Sequence, residues 1–186
     1  SGYERLSALD NAFLVAEKPS VHMHVGAVQI FAPGSLKNGD GGVDTAAFLR
    51  RVASLVYLVP RCRQKLQWIP FENHPVWVDD PAFDLDHHIR ITSLPRPGSD
   101  AQLKALSAQI LEQQLDRSQP LWEMWLVEGL AGDRYAVVSK FHHCMIDGAA
   151  GADLVGILLS TTRVPAATGP EHPYRPRPTP SPWTLF

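Results

Sequence analysis

The sequence lacks the features that mark several common classes of protein. It has two cysteines in 186 residues, Cys62 and Cys144, whereas small secreted scaffolds depend on several disulfides. The formal net charge is −2 with no basic stripe, which argues against nucleic acid as the main partner. No apolar run approaches the roughly 18 residues that span a bilayer, and the opening SGYERLSALD does not read as a signal peptide. We therefore expect a cytoplasmic globular domain with two free thiols.

Two further absences bear on chemistry. The chain has no CxxC pair, which argues against a cysteine zinc cluster. It also has no GxSxG segment, so a serine nucleophile on a strand-to-helix elbow is not expected. If the protein is an enzyme, its chemistry depends on other residues.

Proline, in contrast, is abundant and concentrated near one end. Of 16 prolines, seven fall between Pro165 and Pro182. Such a stretch cannot form a helix interior or a central strand, and it is typical of an extended, semi-rigid linker. We predict a lobe over residues 1–163 and a linker over 164–186. Because a linker normally leads to another unit, we expect this chain to be the first half of a larger molecule.

Apolar periodicity divides the lobe into alternating helices and strands. In the first helix we expect Leu6, Leu9, Phe13 and Ala16 to face inward, with Ser7 as the cap. The alternation predicts a layered α/β domain. Predicted helices lie at 6–17, 44–59, 101–115 and 150–159; predicted strands are HVGAVQIF, PVWVDD and LDHHIRI, followed by a hairpin made of LWEMWLVEGL and GDRYAVVSKFHH.

The segment FHHCMIDGAAG, residues 141–151, carries the candidate chemistry. Neighbouring strand residues point to opposite faces, so His142 and His143 should not bind one ion together, and we predict no metal site. His143 lies where the strand gives way to a turn, and an imidazole with a pKa near ~6.5 can act as a base at neutral pH. Asp147 can hold the turn, and Gly148 suits a positive φ or a close backbone approach. Each residue alone has an ordinary structural explanation, but the combined spacing is much more specific.

The combination H-H-x-x-x-D-G resembles the motif of the CoA-dependent acyltransferase superfamily, whose members share the chloramphenicol acetyltransferase fold. The segments LSALDNAFLVAEKPSVHMHVGAV, FDLDHHIR and RPTPSPW, with Pro120, Leu121 and Trp122, resemble the bacterial wax ester synthase/diacylglycerol acyltransferase family. This resemblance covers nearly the whole chain. It implies a chloramphenicol acetyltransferase-like lobe, with a mixed sheet flanked by helices, that forms the N-terminal lobe of a two-lobe enzyme. Family enzymes are much longer and place the active site in a tunnel between their lobes.

The resemblance also implies an activity. A long-chain acyl group would pass from acyl-CoA to diacylglycerol or to a long-chain alcohol, with His143 as general base. Asp147 would be the structural aspartate that holds the motif loop, and His142 would support that loop or line the site. Gly148 and the Pro120–Trp122 segment would support the motif. For Leu121 and Trp122 the expected role is packing, and the alternative is that they shape the acyl tunnel. Acyl-CoA would be a substrate, and no cofactor is implied.

Two alternatives to this activity remain open. The lobe could belong to a condensation or polyketide-associated acyltransferase that uses a carrier-bound acyl donor, or it could be a non-catalytic lipid-binding lobe. Cys144 adjoins His143 and is a competing nucleophile, although it should face the other way. The expected macromolecular partner is a C-terminal lobe, in the same or a separate chain. Lipid substrates also predict a peripheral contact with a membrane or lipid droplet.

Overall fold

The computed structural model describes residues 2–32, 34, 36–146, 174–181, 183 and 185. The predicted helix at 150–159 therefore lies outside the described residues. The described strands are β1 (Tyr3–Arg5), β2 (His24–Phe31), β3 (Gln64–Trp68), β4 (Pro75–Asp79), β5 (Ile89–Ser93), β6 (Trp122–Leu130) and β7 (Arg134–His142). The α-helices are α1 (Ala8–Ala16), α2 (Thr45–Leu58) and α3 (Asp100–Glu112), and short 3₁₀ turns occupy Pro60–Arg63, Leu85–His87 and His143–Met145.

The strands form two sheets, and the larger one positions the site. Its order is β2-β7-β6-β5, and the smaller sheet has the order β1-β4-β3. In the larger sheet β5 runs parallel to β6, whereas β7 is antiparallel to both β6 and β2. The parallel pair needs a crossover, which α3 supplies. The predicted mixed α/β sheet is confirmed.

Helices cover both faces of the larger sheet. On one face Leu103 and Ile110 of α3 pack against Val138 of β7. On the other face α1 and α2 pack against the same strand through a larger cluster, to which Leu14 and Phe48 belong. The side chains of successive β7 residues therefore point into different hydrophobic clusters, because neighbouring residues of a strand face opposite sides of the sheet. β7 is thus held from both sides up to the point where it ends.

Local capping explains where the helices begin. The Ser7 hydroxyl accepts the backbone N–H of Asp10 at 3.0 Å, and the Asp44 carboxylate accepts that of Ala47 at 2.9 Å. Ser99 and Gln102 form a reciprocal capping box at the start of α3. These side chains satisfy amide groups that the first turn of a helix leaves without partners.

Among the described residues, no helix is both long and apolar enough to cross a membrane.

A buried lysine ties α3 to the sheet near the site. Lys140 on β7 is 1% exposed. Its Nζ donates to the carbonyls of Ile110 and Gln113 at 2.8 and 2.7 Å, and lies 2.8 Å from Oε1 of Glu123. The ammonium thus meets the negative end of the helix dipole and one carboxylate, which compensates for its burial. Lys140, two residues before the histidine pair, thus attaches the C-terminal end of α3 to β7.

The proline-rich segment lies against the smaller sheet where it is described. Arg177 binds Asp79 through two N–H groups of its side chain, at 2.8 and 3.0 Å, and Gln67 donates to the carbonyl of Pro180 at 2.8 Å. The Tyr174 hydroxyl lies 3.4 Å from the Arg63 carbonyl. Residues 174–181, which lie in neither a helix nor a strand, are therefore attached to β3 and β4. That residues 164–186 lead to a second lobe stays a prediction.

The ion pair between Asp79 and Arg177 should make stability depend on pH. The guanidinium holds the pKa of the Asp79 carboxyl well below its ordinary 3.8. A carboxyl with a lowered folded pKa stabilises the fold above its unfolded pKa, and the stabilisation is lost as pH falls below that value. We expect Asp79→Asn to lower the urea midpoint at about pH 6 and to lose most of this effect by about pH 2.

Asp133→Asn is the matched control, because its carboxylate is 72% exposed and 3.5 Å from Lys37. An exposed pair of this kind contributes little. Urea unfolding of the three proteins across the pH range measures the effect. A difference between wild type and Asp79→Asn that does not change with pH would contradict the assignment.

Candidate active site

His143 is held at the junction where β7 ends and the 3₁₀ turn begins. Its backbone N–H donates to the carbonyl of Met23 at 2.8 Å, and its own carbonyl accepts the N–H of Ile146 at 3.0 Å. The imidazole stacks on Phe13 of α1, with ring centroids 4.8 Å apart and an interplanar angle of 20°. The residue is only half-buried. The backbone is thus fixed by two hydrogen bonds and one face of the ring by Phe13, while the residue is still accessible to a small polar group, as a general base requires.

His142 faces the interior and has a different environment. It is 0% exposed, and its Nδ1 accepts the backbone N–H of Cys144 at 3.1 Å. Because Nδ1 accepts, the neutral ring carries its proton on Nε2, which lies 3.4 Å from Oε2 of Glu17. Burial lowers the pKa of His142 to about 4, more than the Glu17 carboxylate raises it. His142 is therefore a neutral ring that caps the turn bearing His143.

An ion pair between a buried carboxylate and a partly exposed guanidinium lies behind His142, and the sequence did not predict it. The Glu17 side chain is 2% exposed, and its Oε1 accepts from Nη2 of Arg117 at 2.9 Å. Arg117 also donates to the carbonyl of Leu14 at 2.7 Å. Burial opposes the charge of Glu17, but hydrogen bonds from Met23 and Arg117, with the positive charge of Arg117, lower the pKa of the carboxyl. The carboxylate thus stays charged and joins α1, the loop before β6 and the end of β7.

The Pro120–Trp122 segment holds the strand end from the other side. Leu121 is 0% exposed, and its carbonyl accepts the backbone N–H of His142 at 3.0 Å. Trp122 is 1% exposed, donates from Nε1 to the Cys62 carbonyl at 2.8 Å and stacks on His88 at 4.7 Å. Pro120 is buried beside them. These contacts describe a packing role that fixes the strand carrying the histidine pair.

Cys144 does not have the environment of a nucleophile. It is 3% exposed and belongs to the main hydrophobic cluster. Burial raises the pKa of its thiol far above neutral. Since the thiolate is the reactive form, this thiol is poorly placed for covalent catalysis.

The remaining two predicted site residues, Asp147 and Gly148, lie outside the described residues. Their roles as loop aspartate and turn glycine stay predictions. The structure does bring the other five together at one end of β7. It places His143 on the accessible side and the others beneath it.

The mixed sheet with its flanking helices, ending in a histidine pair, is the fold of a chloramphenicol acetyltransferase-like lobe. The chain matches the wax ester synthase/diacylglycerol acyltransferase catalytic domain over residues 6–182, and it belongs to that family.

Similar proteins are found among both sequences and structures. A putative diacylglycerol O-acyltransferase of Mycobacterium bovis is 41% identical over 152 residues, which is 81% of this chain. The probable diacylglycerol O-acyltransferase tgs3 of Mycobacterium tuberculosis is 39% identical over 164 residues, or 88% of this chain. The wax ester synthase/diacylglycerol acyltransferase of Marinobacter aquaeolei superposes with a TM-score of 0.68 at 31% identity, covering 80% of this chain and 36% of that one.

More distant structures share only the fold. The starter condensation domain of rhizomide synthetase RzmA has a TM-score of 0.62 at 15% identity, covering 85% of this chain and 38% of that one.

This chain is also shorter than its relatives. It spans 32% of the Mycobacterium bovis protein and 59% of tgs3.

Proposed function

We propose that this lobe supplies the general base of an O-acyltransferase that moves a long-chain acyl group from acyl-CoA to diacylglycerol, or to a long-chain alcohol. The observation that carries the proposal is the His143 ring, fixed against Phe13 yet half-exposed at the end of β7. Membership of the wax ester synthase/diacylglycerol acyltransferase family supports the substrate class.

In the proposed reaction His143 takes the proton of the acceptor hydroxyl as its oxygen attacks the thioester carbonyl. A carbon–oxygen bond forms, the carbon–sulfur bond breaks, and the proton passes from the imidazole to the departing CoA thiolate. An alcohol is a weak nucleophile unless its proton is removed during attack, and a positioned base contributes about 10²–10⁴-fold. Holding both substrates in one tunnel adds a further proximity effect.

The contacts around the ring support direct attack by the acceptor rather than an acyl-enzyme. Cys144 is buried in the core, and its thiol stays protonated. His142 is committed to the turn through its Nδ1 and faces Glu17. Among the polar side chains that the structure describes at the turn, these contacts therefore favour His143 as the group that exchanges a proton with a substrate.

A second lobe completes the proposed enzyme. It would form the opposite wall of the tunnel and supply donors to the oxyanion of the tetrahedral intermediate. It belongs either to the same polypeptide or to a separate chain. The lipid acceptor and product would bring the enzyme to a membrane or lipid-droplet surface from the cytoplasmic side.

The test is the release of free thiol from palmitoyl-CoA by the full-length protein that carries this lobe. We expect release to depend on an added acceptor and to be matched by the ester formed. Parallel reactions with diacylglycerol and with a long-chain alcohol identify the product class by their relative rates. No release from a sample that contains both lobes would overturn the acyl-CoA proposal, and transfer from a carrier-bound acyl group would replace it.

A further inference from the structure

Three potential metal ligands meet beside the 3₁₀ turn that carries His143, called here the catalytic turn, where the segment after α1 enters β2. Glu17, His22 and His24 each bring one ligand atom to within 4.8 Å of the others. The two histidine rings are stacked, with centroids 5.3 Å apart and an interplanar angle of 13°. All three residues are partly buried. This His-x-His pair is separate from the His142–His143 pair, for which we predicted no shared ion.

The hydrogen bond of His24 fixes which of its nitrogens is free. Its Nε2 lies 2.6 Å from the carbonyl of Leu111. A carbonyl can only accept, so Nε2 carries the proton and Nδ1 of the neutral ring has the lone pair. That Nδ1 is buried, as is Nδ1 of His22, and neither finds a hydrogen-bond partner among the described residues. Buried polar atoms without partners are costly, and each one needs an explanation.

A metal ion would explain both nitrogens. A histidine that binds a metal usually donates its other ring N–H to a carbonyl or carboxylate, which orients the ring. His24 already has this arrangement through Leu111. Two imidazoles and one carboxylate form a ligand set that suits Zn²⁺, with a fourth position left for water.

We propose that Glu17, His22 and His24 bind a single zinc ion. A tetrahedral zinc ion with bonds of about 2.0–2.2 Å separates its ligand atoms by about 3.4 Å. Since one ligand atom from each residue already lies within 4.8 Å of the others, side-chain rotations that shorten each separation by roughly 1.4 Å or less would close the site. Arg117 keeps Oε1 of Glu17 engaged, and the carboxylate brings negative charge to the ion.

The site would brace the catalytic turn. His22 and His24 flank Met23, whose carbonyl accepts the backbone N–H of His143 and whose N–H donates to Oε2 of Glu17 at 3.1 Å. An ion held by these three side chains would fix Met23 in place. The proposed role is therefore structural, and it does not require the ion to touch a substrate.

The test is zinc binding by full-length, tag-free, metal-stripped protein, measured by competition with a chromogenic chelator. We expect one Zn²⁺ per chain. His22→Ala should weaken binding by at least roughly tenfold, since even the outer partners of metal ligands are worth that much. His87→Ala is the matched control, because the His87 side chain is 66% exposed and should leave binding unchanged.

X-ray absorption spectroscopy on zinc-loaded wild-type protein identifies the ligand atoms of the zinc ion without depending on any variant. We expect a nitrogen and oxygen shell with two imidazoles and no sulfur. A sulfur ligand, an absence of zinc binding, or equal binding by folded His22→Ala would overturn the proposal. No step uses acyl-CoA or an acceptor, so this result is independent of the outcome of the activity assay.

Discussion

Replacing His143 with alanine should lower the kcat/KM of acyl transfer by about 10²–10⁴-fold, the range expected for loss of a positioned general base. The loss should appear in kcat, because the proton is removed in the transition state and the base contributes little to substrate binding. Thiol release from acyl-CoA in the presence of acceptor measures the effect in the full-length protein.

Two controls separate loss of the base from loss of the fold. The backbone N–H of residue 143 still reaches Met23 after the substitution, so the urea midpoint of His143→Ala should stay close to that of wild type. Cys144→Ala should retain most of the activity, since the thiol is buried and protonated. If Cys144→Ala were inactive while folded and His143→Ala were active, the assignment of the base would be wrong.

Replacing Trp122 with alanine should destabilise the lobe by about 3–5 kcal/mol, the usual cost of removing a buried aromatic side chain. Trp122 is 1% exposed and packs between His88 and Phe141. Its indole N–H also satisfies the Cys62 carbonyl, which would be left buried without that donor. Urea unfolding gives the free energy directly.

Trp122→Phe is the matched variant. It keeps an aromatic ring against His88 and loses the hydrogen bond to Cys62, so we expect a smaller cost of about 1–3 kcal/mol. The folded variant should keep its kcat if Trp122 acts through packing. A large fall in kcat at little cost in stability would instead assign Trp122 to the acyl tunnel.

Elements with strong local signals could be predicted from the sequence. Asp44 as a cap, apolar residues at helical spacing and Pro60 as a stop predicted a helix over 44–59, and α2 occupies Thr45–Leu58 with Val52 and Val56 buried. Strand β2 and the β6–β7 hairpin were likewise predicted by alternation and turn residues. In these segments the local preferences and the final packing agree.

Two features of the fold escaped prediction because distant contacts decide them. β1 and β3 are short strands that form by pairing with β4, and the sequence around them carries no clear alternation. The inward face predicted for α1 was wrong at Leu9, which is 54% exposed, and at Ala16, which is also exposed, while Leu14 is 2% exposed. Periodicity identifies a helix, but the neighbour that covers it selects the buried face.

Contacts between distant residues also limited what could be predicted of the site. A strand end with adjacent histidines predicted where His143 and His142 lie. The partners Glu17 and Arg117 are separated by 100 residues, and nothing in their local sequence brings them together. The sequence also gave no indication that His22 and His24 would stack beside Glu17.

The pairing of β2 with β7 also determines when this lobe can finish folding. Their paired residues lie more than a hundred positions apart, from His24 with His142 to Phe31 with Tyr135. Closing so long a loop costs entropy before any contact rewards it, so such pairings fold slowly. During synthesis β2 must wait for nearly the whole lobe, with its backbone groups left without the partners that β7 provides. Until β7 arrives, the unpaired β2 segment is prone to aggregation.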